Sequence, residues 1–391
     1  MLRGMARATV GVASAIAWCL GLLCICAPAA HGQAAPQGQQ SLPVVRELSR
    51  GETVHFLAPP PVLVEFPIKC DGGDIFVAYS ANPYRGVNGG PSPPITEVRP
   101  NSKSTVEFGM PPIDGYDRQD RHNFALGPNG TLYALISASR TEAGGKGTPR
   151  PEYFIEKFKE DGTRDSLTKL VTQAGATVQP MVFGVFNNGT YLVTGMAFGH
   201  ANAEPFTAIF DSSGRLVRSV RLPDDVRAAP VAHRPPPPPK PGADKEPQGN
   251  GSSLLAVSFG GLVSAVDGNV YLIRASNPIK IYSISPGGEV VNQAQAPIPE
   301  SDMNLMEVGA SAAGLYLEFG HVANGVSAES SEPRDMVALF DLAIKRFVAF
   351  YRLPVSVSQD WVPACADNQG NFSFLGEGTD GRLEITTYTQ H

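Results

Sequence analysis

The chain has 391 residues, 42% of them hydrophobic, with 31 Lys and Arg against 37 Asp and Glu, a formal net charge of −6. An acidic excess argues against nucleic acid or an anionic membrane surface as partner, and the apolar share is ample for a large packed domain. The abundance of Gly (41) and Pro (35) fits many short strands joined by tight turns.

At the N-terminus, Arg3 and Arg7 precede an apolar stretch from Ala8 to Cys26 and a small-residue zone from Ala27 to Ala35. This is the three-part layout of a secretory signal peptide, 1–32, with Ala30 and Gly32 as the small residues before the cleavage point. No Arg-Arg pair is present, which favours the Sec route over the twin-arginine one. The alternative is an uncleaved anchor, because the apolar run approaches the lower length limit for a span. Export places the mature chain in the periplasm or outside the cell. Residues 33–47 read as a flexible N-terminal segment and 48–391 as one domain without a further membrane span.

Within that domain one unit recurs: a short apolar strand, a glycine turn, then a strand of aromatic and β-branched residues. It reads FALGPNGTLYALIS at 124–137, VFGVFNNGTYLVTG at 182–195 and GLVSAVDGNVYLIRA at 261–275. Weaker copies are VEFPIKCDGGDIFVAYS at 64–80, EVGASAAGLYLEFG at 307–320 and VPACADNQGNFSFLG at 362–376. Asn-Gly and Asp-Gly supply the positive φ that two-residue hairpin turns require, so each copy is expected to be a hairpin. A second hairpin follows, as at 153–170, 206–222 and 336–353. Two hairpins make a four-stranded antiparallel blade, and six copies predict an all-β, six-bladed β-propeller.

The last copy stops after its third strand, Leu383 to Tyr388. A spare strand lies at the other end of the chain: Glu52-Thr53-Val54-His55-Phe56 before Pro59-Pro60 matches Ser104-Thr105-Val106-Glu107-Phe108 before Pro111-Pro112. The ring is therefore expected to close with an N-terminal strand as the outer strand of the last blade, which leaves no dangling edge there.

The blade number, the Gly-x-Φ-Tyr-Φ hairpin (Φ apolar) and this closure resemble the six-bladed propellers typified by TolB-like and NHL-repeat proteins, over roughly 50–391. The resemblance implies a fold and not an activity. Between the third and fourth blades, 228–253 includes five consecutive prolines, Pro235 to Pro239, and reads as a disordered surface insert.

Cys70 and Cys365 are the two cysteines outside the signal segment. They read as a disulfide in an oxidising compartment, or as two buried thiols. Cys70 falls in the inner strand of the first blade and Cys365 in that of the last, neighbours in a closed ring. Their heights differ by two strand steps, about 7 Å, the upper limit for a bridged Cα pair.

No hydrolase, zinc or phosphate-loop motif is present. His200 and His321 sit in a small internal repeat, Phe198-Gly199-His200 and Phe319-Gly320-His321, projecting from one face or merely repeating a loop. Aligned on the glycines, Glu65, His122, Asn123, Gln179, Asn304, Glu307 and Asp360 gather where the chain enters the inner strands. Glu65, His122, Glu307 and Asp360 form an oxygen-rich candidate set for a divalent metal, Ca²⁺ before Zn²⁺. Gluconolactonase-type propellers are similar in placing a metal there, but this chain lacks their Glu-Gly-Pro start. The competing reading is a polar, water-filled channel mouth. Arg118 belongs to a charged loop, 114–122, suited to a polar ligand. The expected function is an extracytoplasmic binding or scaffold propeller for a protein, glycan or small polar ligand. The alternatives are a metal-dependent hydrolase or lactonase at the same mouth, and a structural ring.

Overall fold

The computed structural model describes residues 45–58, 63–80, 92–140, 151–172, 177–198, 203–223, 261–301, 303–311, 314–321, 335–353, 365–366 and 371–389. The segment 1–32 expected to be a signal peptide, the proline-rich insert 228–253, His200 and Asp360 lie outside the described residues. No helix among the described residues is long and apolar enough to cross a membrane.

The domain is a ring of six blades, each built on four antiparallel strands ordered from the channel outward, with a fifth strand added to one of them. Blade 1 comprises β3 (Leu63–Asp71), β4 (Asp74–Ser80), β5 (Ile95–Arg99) and β6 (Ser104–Phe108). Blade 2 comprises β7 (Arg118–Leu126), β8 (Leu132–Ser139), β9 (Glu152–Phe158) and β10 (Arg164–Lys169). Blade 3 comprises β11 (Thr177–Val185), β12 (Tyr191–Phe198), β13 (Ala203–Phe210) and β14 (Leu216–Ser219). Blade 4 comprises β15 (Leu262–Ser264), β16 (Val270–Arg274), β17 (Ile279–Ile284) and β18 (Val290–Ala296). Blade 5 comprises β19 (Met303–Ser311), β20 (Gly314–His321), β21 (Met336–Asp341) and β22 (Arg346–Arg352).

Blade 6 joins the chain ends. Its inner strands are β23 (Cys365–Ala366), β24 (Phe372–Glu377) and β25 (Leu383–Thr389), and its outer strand is β2 (Ser49–His55). Thr53 pairs with Thr386, Val54 with Ile385 and His55 with Glu384, and the Phe56 N–H donates to the Leu383 carbonyl. The end of segment 33–47, expected to be flexible, is strand. Val45–Glu47 forms β1, which runs parallel to β22 and makes blade 5 five-stranded. Three residues with no alternation give a sequence reader no strand signal.

Turn geometry also departs from expectation. In the copies at 124–137, 182–195 and 261–275 only the glycine of the Asn-Gly or Asp-Gly pair has positive φ, near 71° at Gly130, 78° at Gly189 and 81° at Gly268. Gly130 donates to the Gly127 carbonyl, and the Gly127 N–H to Thr131. Each is a type I turn followed by a left-handed glycine, a three-residue connection with a bulge, where a two-residue turn was expected. Blade 1, with Gly72 and Gly73 both at positive φ between paired Asp71 and Asp74, keeps the two-residue form.

The blades are buried on both faces, so their strands carry near-continuous apolar runs. Alternate side chains of one strand enter different inter-blade cores. In β11 and its extension, Phe183 and Val185 pack toward blade 2, whereas Val182 and Phe186 pack toward blade 4. One apolar cluster fills each of the interfaces between blades 1 and 2, 2 and 3, 3 and 4, 4 and 5, and 5 and 6. The cluster that completes the cycle joins Ile68, Ile75, Val77 and Val98 of blade 1 to Val54, Phe56, Leu375, Leu383 and Ile385 of blade 6. The ring is thus closed by packing as well as by strand pairing.

Candidate functional site

The inner strands carry the charged and polar residues that distinguish this ring. β7 starts at Arg118, so half of the expected loop 114–122 is inner strand instead. Arg118, Asp120 and His122 are exposed and alternate with half-buried Gln119 and Arg121, which puts the three on one face of the strand. Arg121 is held by its Nη1 donating to the Pro93 carbonyl at 2.6 Å, and Gln119 by donating to the Pro111 carbonyl at 3.4 Å. The stripe therefore stands on residues fixed by blade 1 and by the preceding loop.

His122 occupies a register break: Arg121 faces Ile136 and Asn123 faces Leu135. A bulge re-aims the side chain it carries, here beside the Tyr153 ring, whose centroid lies 5.8 Å away. Surrounding protein lowers the His122 pKa below its ordinary 6.5, with Asp120 pulling the other way. The ring is thus mainly neutral at pH 7 and can both donate and accept a hydrogen bond. Equivalent breaks fall at Met181 in β11 and Met306 in β19, and β3 breaks between Glu65 and Lys69. Gln179, Asn304 and Met306 are exposed at these positions. Next to the stripe, Tyr116 donates to Glu152, Lys169 binds Glu152 at 2.8 Å, and Arg140 lies 4.7 Å above the Tyr116 ring. Lys169 and then Tyr116 hold the Glu152 carboxyl below its ordinary pKa.

Two predicted residues do not join the mouth. Asn123 is buried beneath His122, with 7% of its surface exposed. Glu307 is 2% exposed, and its carboxylate lies 3.9 Å from the Lys69 Nζ of β3. A carboxylate turned to a buried ammonium is not available to a cation, which removes Glu307 from the candidate metal set. Among the described residues no group of three His, Cys, Asp or Glu is placed to hold a metal. The side chains of Glu65 and His321, like His200 and Asp360, lie outside the described residues.

Sequence reasoning missed Lys69, although its position inside the apolar run Phe66-Pro67-Ile68-Lys69-Cys70 was a usable signal: a charge there needs a partner. Burial raises the Glu307 pKa to about 7 against the pull of Lys69, and burial lowers that of Lys69. Glu318, directly opposite Glu307 in β20, is buried too. Tyr316 donates to Cys70 Sγ at 3.3 Å, and its phenol is pushed up by burial and by the charges of Glu307 and Glu318. Its ring lies over Gly309, where any Cβ would overlap the phenol. Cys70 is bonded to Cys365 with a Cα separation of 5.6 Å, so the stagger between blades 1 and 6 absorbs the height offset.

On the blade 4–5 seam is a groove of about 550 Å³ lined by Asp267, Asn269, Tyr271, Ser283, Asn292 and Asp341 among others. Its carboxylates are engaged by their own turns. Asp267 accepts from the Asn269 backbone and side chain and from Tyr271, and Asp341 from the Ala343 and Ile344 N–H groups. Burial, then Asp267, raises the Tyr271 phenol to about 12.

These features define a six-bladed β-propeller with a polar stripe at the N-terminal end of one inner strand and a buried ion pair within. No protein-family model and no curated protein matches the chain. Among solved structures it is similar to an α-L-arabinanase of Penicillium chrysogenum complexed with arabinobiose, at 10% identity, covering 87% of this chain and 98% of that one with a TM-score of 0.43. It is also similar to the Dos1 propeller (8% identity, 88% and 95% covered, TM-score 0.40) and to the WD40 propeller of Doa1 (9%, 88% and 97%, 0.37). At these scores the likenesses carry no argument about function.

Proposed function

We propose that the protein is an exported binding propeller of the TolB-like or NHL-repeat-like kind, which recognises a polar ligand, a protein segment or glycan, at the mouth of its channel. The observation that carries this reading is the stripe Arg118, Asp120 and His122. It presents a cation, an anion and a neutral imidazole on one face of a strand whose intervening residues are anchored. Groups of both signs on a fixed backbone suit recognition of a polar surface with little ordering cost. The acidic composition disfavours nucleic acid. The metal-dependent hydrolase alternative would draw on Glu65, His122 and Asp360. The test is binding of the mature chain to arrays of peptides and of glycans, repeated with Arg118→Ala/Asp120→Ala/His122→Ala. The proposal expects hits that the triple variant loses while its melting temperature is unchanged. Hits that survive the triple substitution would remove the stripe from the function.

A further inference from the structure

Three seams between blades are closed in the same way at the turn end of the strands. The turn between the third and fourth strands of one blade rests its glycine on the blade before it. Gly162 of blade 2 lies on the Glu107 carbonyl of β6, and Gly214 of blade 3 on the Lys169 carbonyl of β10. Gly288 of blade 4 lies on Arg218, Ile209 and Val220 of blade 3. Blade 5 breaks the pattern. Its turn, Asp341 to Lys345, has no glycine, and Lys345 takes the positive φ, 54°. Phe340 pairs with Phe347 where Phe210 of blade 3 pairs with Leu216, so the turn is also one residue longer. Side chains at Leu342 and Ala343 keep this turn from approaching β18 as a glycine would, and the groove of about 550 Å³ opens between them.

The same seam lacks an arginine. One seam earlier, Arg218 of β14 reaches across to blade 4, donating to the Gly287 carbonyl and to the Glu289 carboxylate at 2.7 Å. Asn292 of β18 holds the equivalent place in blade 4, the same distance past the turn glycine, and is too short to cross. The groove it faces is anionic. Asp267 and Asp341 bring its charges, and no Lys or Arg lines it; Lys345 and Arg346 follow on the turn of blade 5 but lie outside the lining. Only neutral donors hold the two acids. Asp341 receives the Ala343 and Ile344 N–H groups on Oδ1, and Asp267 receives the Asn269 N–H on Oδ1 and the Asn269 amide and Tyr271 hydroxyl on Oδ2. A carboxylate has about four acceptor positions, so both keep capacity, and among the described residues Asp341 Oδ2 receives no donor and neither acid forms an ion pair. Beside them Val266 and Val291 are 77% and 55% exposed. Fixed anions flanked by apolar surface suit a cation carried on an alkyl stem.

We propose that the groove on the blade 4–5 seam binds an arginine side chain of a peptide partner, its guanidinium taking the place that Arg218 fills one seam earlier. The planar guanidinium presents several donors to carboxylates at once, and its methylenes cover Val266 and Val291. The groove lies at the turn end of the strands, opposite the end of β7 that carries Arg118, Asp120 and His122, and is independent of what the mouth binds.

The experiment uses the disulfide-intact mature chain and a fluorescein-labelled peptide with one Arg between two Val residues. Its citrulline counterpart serves as the uncharged isostere. Affinity is read by fluorescence anisotropy at low salt, and position by the ¹³C-methyl shifts of Val266 and Val291. The parent should bind the Arg peptide, shift both valines, and bind the citrulline peptide roughly tenfold more weakly. Asp267→Asn/Asp341→Asn should weaken the Arg peptide by a similar factor. The fold tolerates the first change, since Asn129 and Asn188 precede the turn glycine in blades 2 and 3 as Asp267 does in blade 4. Asn292→Arg should abolish binding by filling the groove from within, whereas Arg118→Ala/Asp120→Ala/His122→Ala should bind as the parent does. No binding at millimolar peptide, equal affinity for citrulline, unmoved valine methyls or indifference to the two Asn substitutions would overturn the proposal. Loss of binding in the stripe variant would overturn it too, by placing the peptide at the mouth. Should Asn292→Arg fail to fold, the Asn substitutions and the methyl shifts decide the matter.

Discussion

Removing residues 45–58 deletes β1 and the outer strand of blade 6, and the loss can be worked from the side chains involved. Leu48, Val54 and Phe56 are 7%, 9% and 2% exposed, and sit in the clusters that join blade 6 to blades 5 and 1. At about 1.5–3 kcal/mol for each buried apolar side chain, they contribute about 5–9 kcal/mol before any ladder hydrogen bonds are counted. Whole-domain stabilities are about 5–15 kcal/mol, so the truncated chain should be unfolded or close to it at 37 °C. A milder version isolates packing from pairing. Phe56→Ala leaves the Phe56 N–H to Leu383 bond in place but empties a site lined by Ile68, Val98 and Leu383. It should cost about 3–4 kcal/mol. Thermal melts of parent, Phe56→Ala and the deletion, prepared alike, give the ranking. A deletion protein that melts like the parent would show that the ring does not depend on its N-terminal strand, and the closure argument would fail with it.

Cys70→Ala/Cys365→Ala should lose about 2–5 kcal/mol, since the bond closes a very long loop. Unreduced tryptic digests should contain a linked pair of peptides, and free thiols at both positions would refute the bond. Gly309→Ala places a methyl against the Tyr316 ring and should destabilise by about 1–3 kcal/mol through forced repacking; a neutral result would mean that the ring moves aside freely. If the mouth holds Ca²⁺ through Glu65, His122 and Asp360, a chelator lowers the melting temperature and added Ca²⁺ restores it. A melt indifferent to both additions eliminates the metal-dependent hydrolase.

The architecture was legible because its causes are local. A glycine turn between apolar strands recurs along the chain, and Thr53-Val54-His55-Phe56 repeats the outer-strand pattern of Thr105-Val106-Glu107-Phe108. What the residues did not carry was turn class, since Asn-Gly serves both a two-residue turn and a type I turn with a bulge, and the difference lies in the φ of the Asn. Of the candidate site, the sequence carried the position of His122 at the entry to the blade 2 hairpin, and the structure shows that side chain exposed at a bulge of β7. Glu307 was read as a mouth residue by the same alignment, yet the bulge at Met306 and the reach of Lys69 from two blades away bury it. That outcome depends on which residue of a distant strand arrives opposite, and no pattern within 303–311 encodes it.

The pairing of β2 with β25 also sets a timetable. Thr53 and Thr386, whose hydroxyls lie 3.1 Å apart, are separated by 333 residues of chain. A strand made first must wait for the strand made last, on the order of half a minute at ordinary rates of synthesis. Through that interval Val54 and Phe56 have no partner, and the first blade lacks the neighbour that covers Ile75 and Val98. The chain is therefore committed to finish before it can fold to completion, and its unpaired outer strand and uncovered first blade are exposed to aggregation until the last strand arrives.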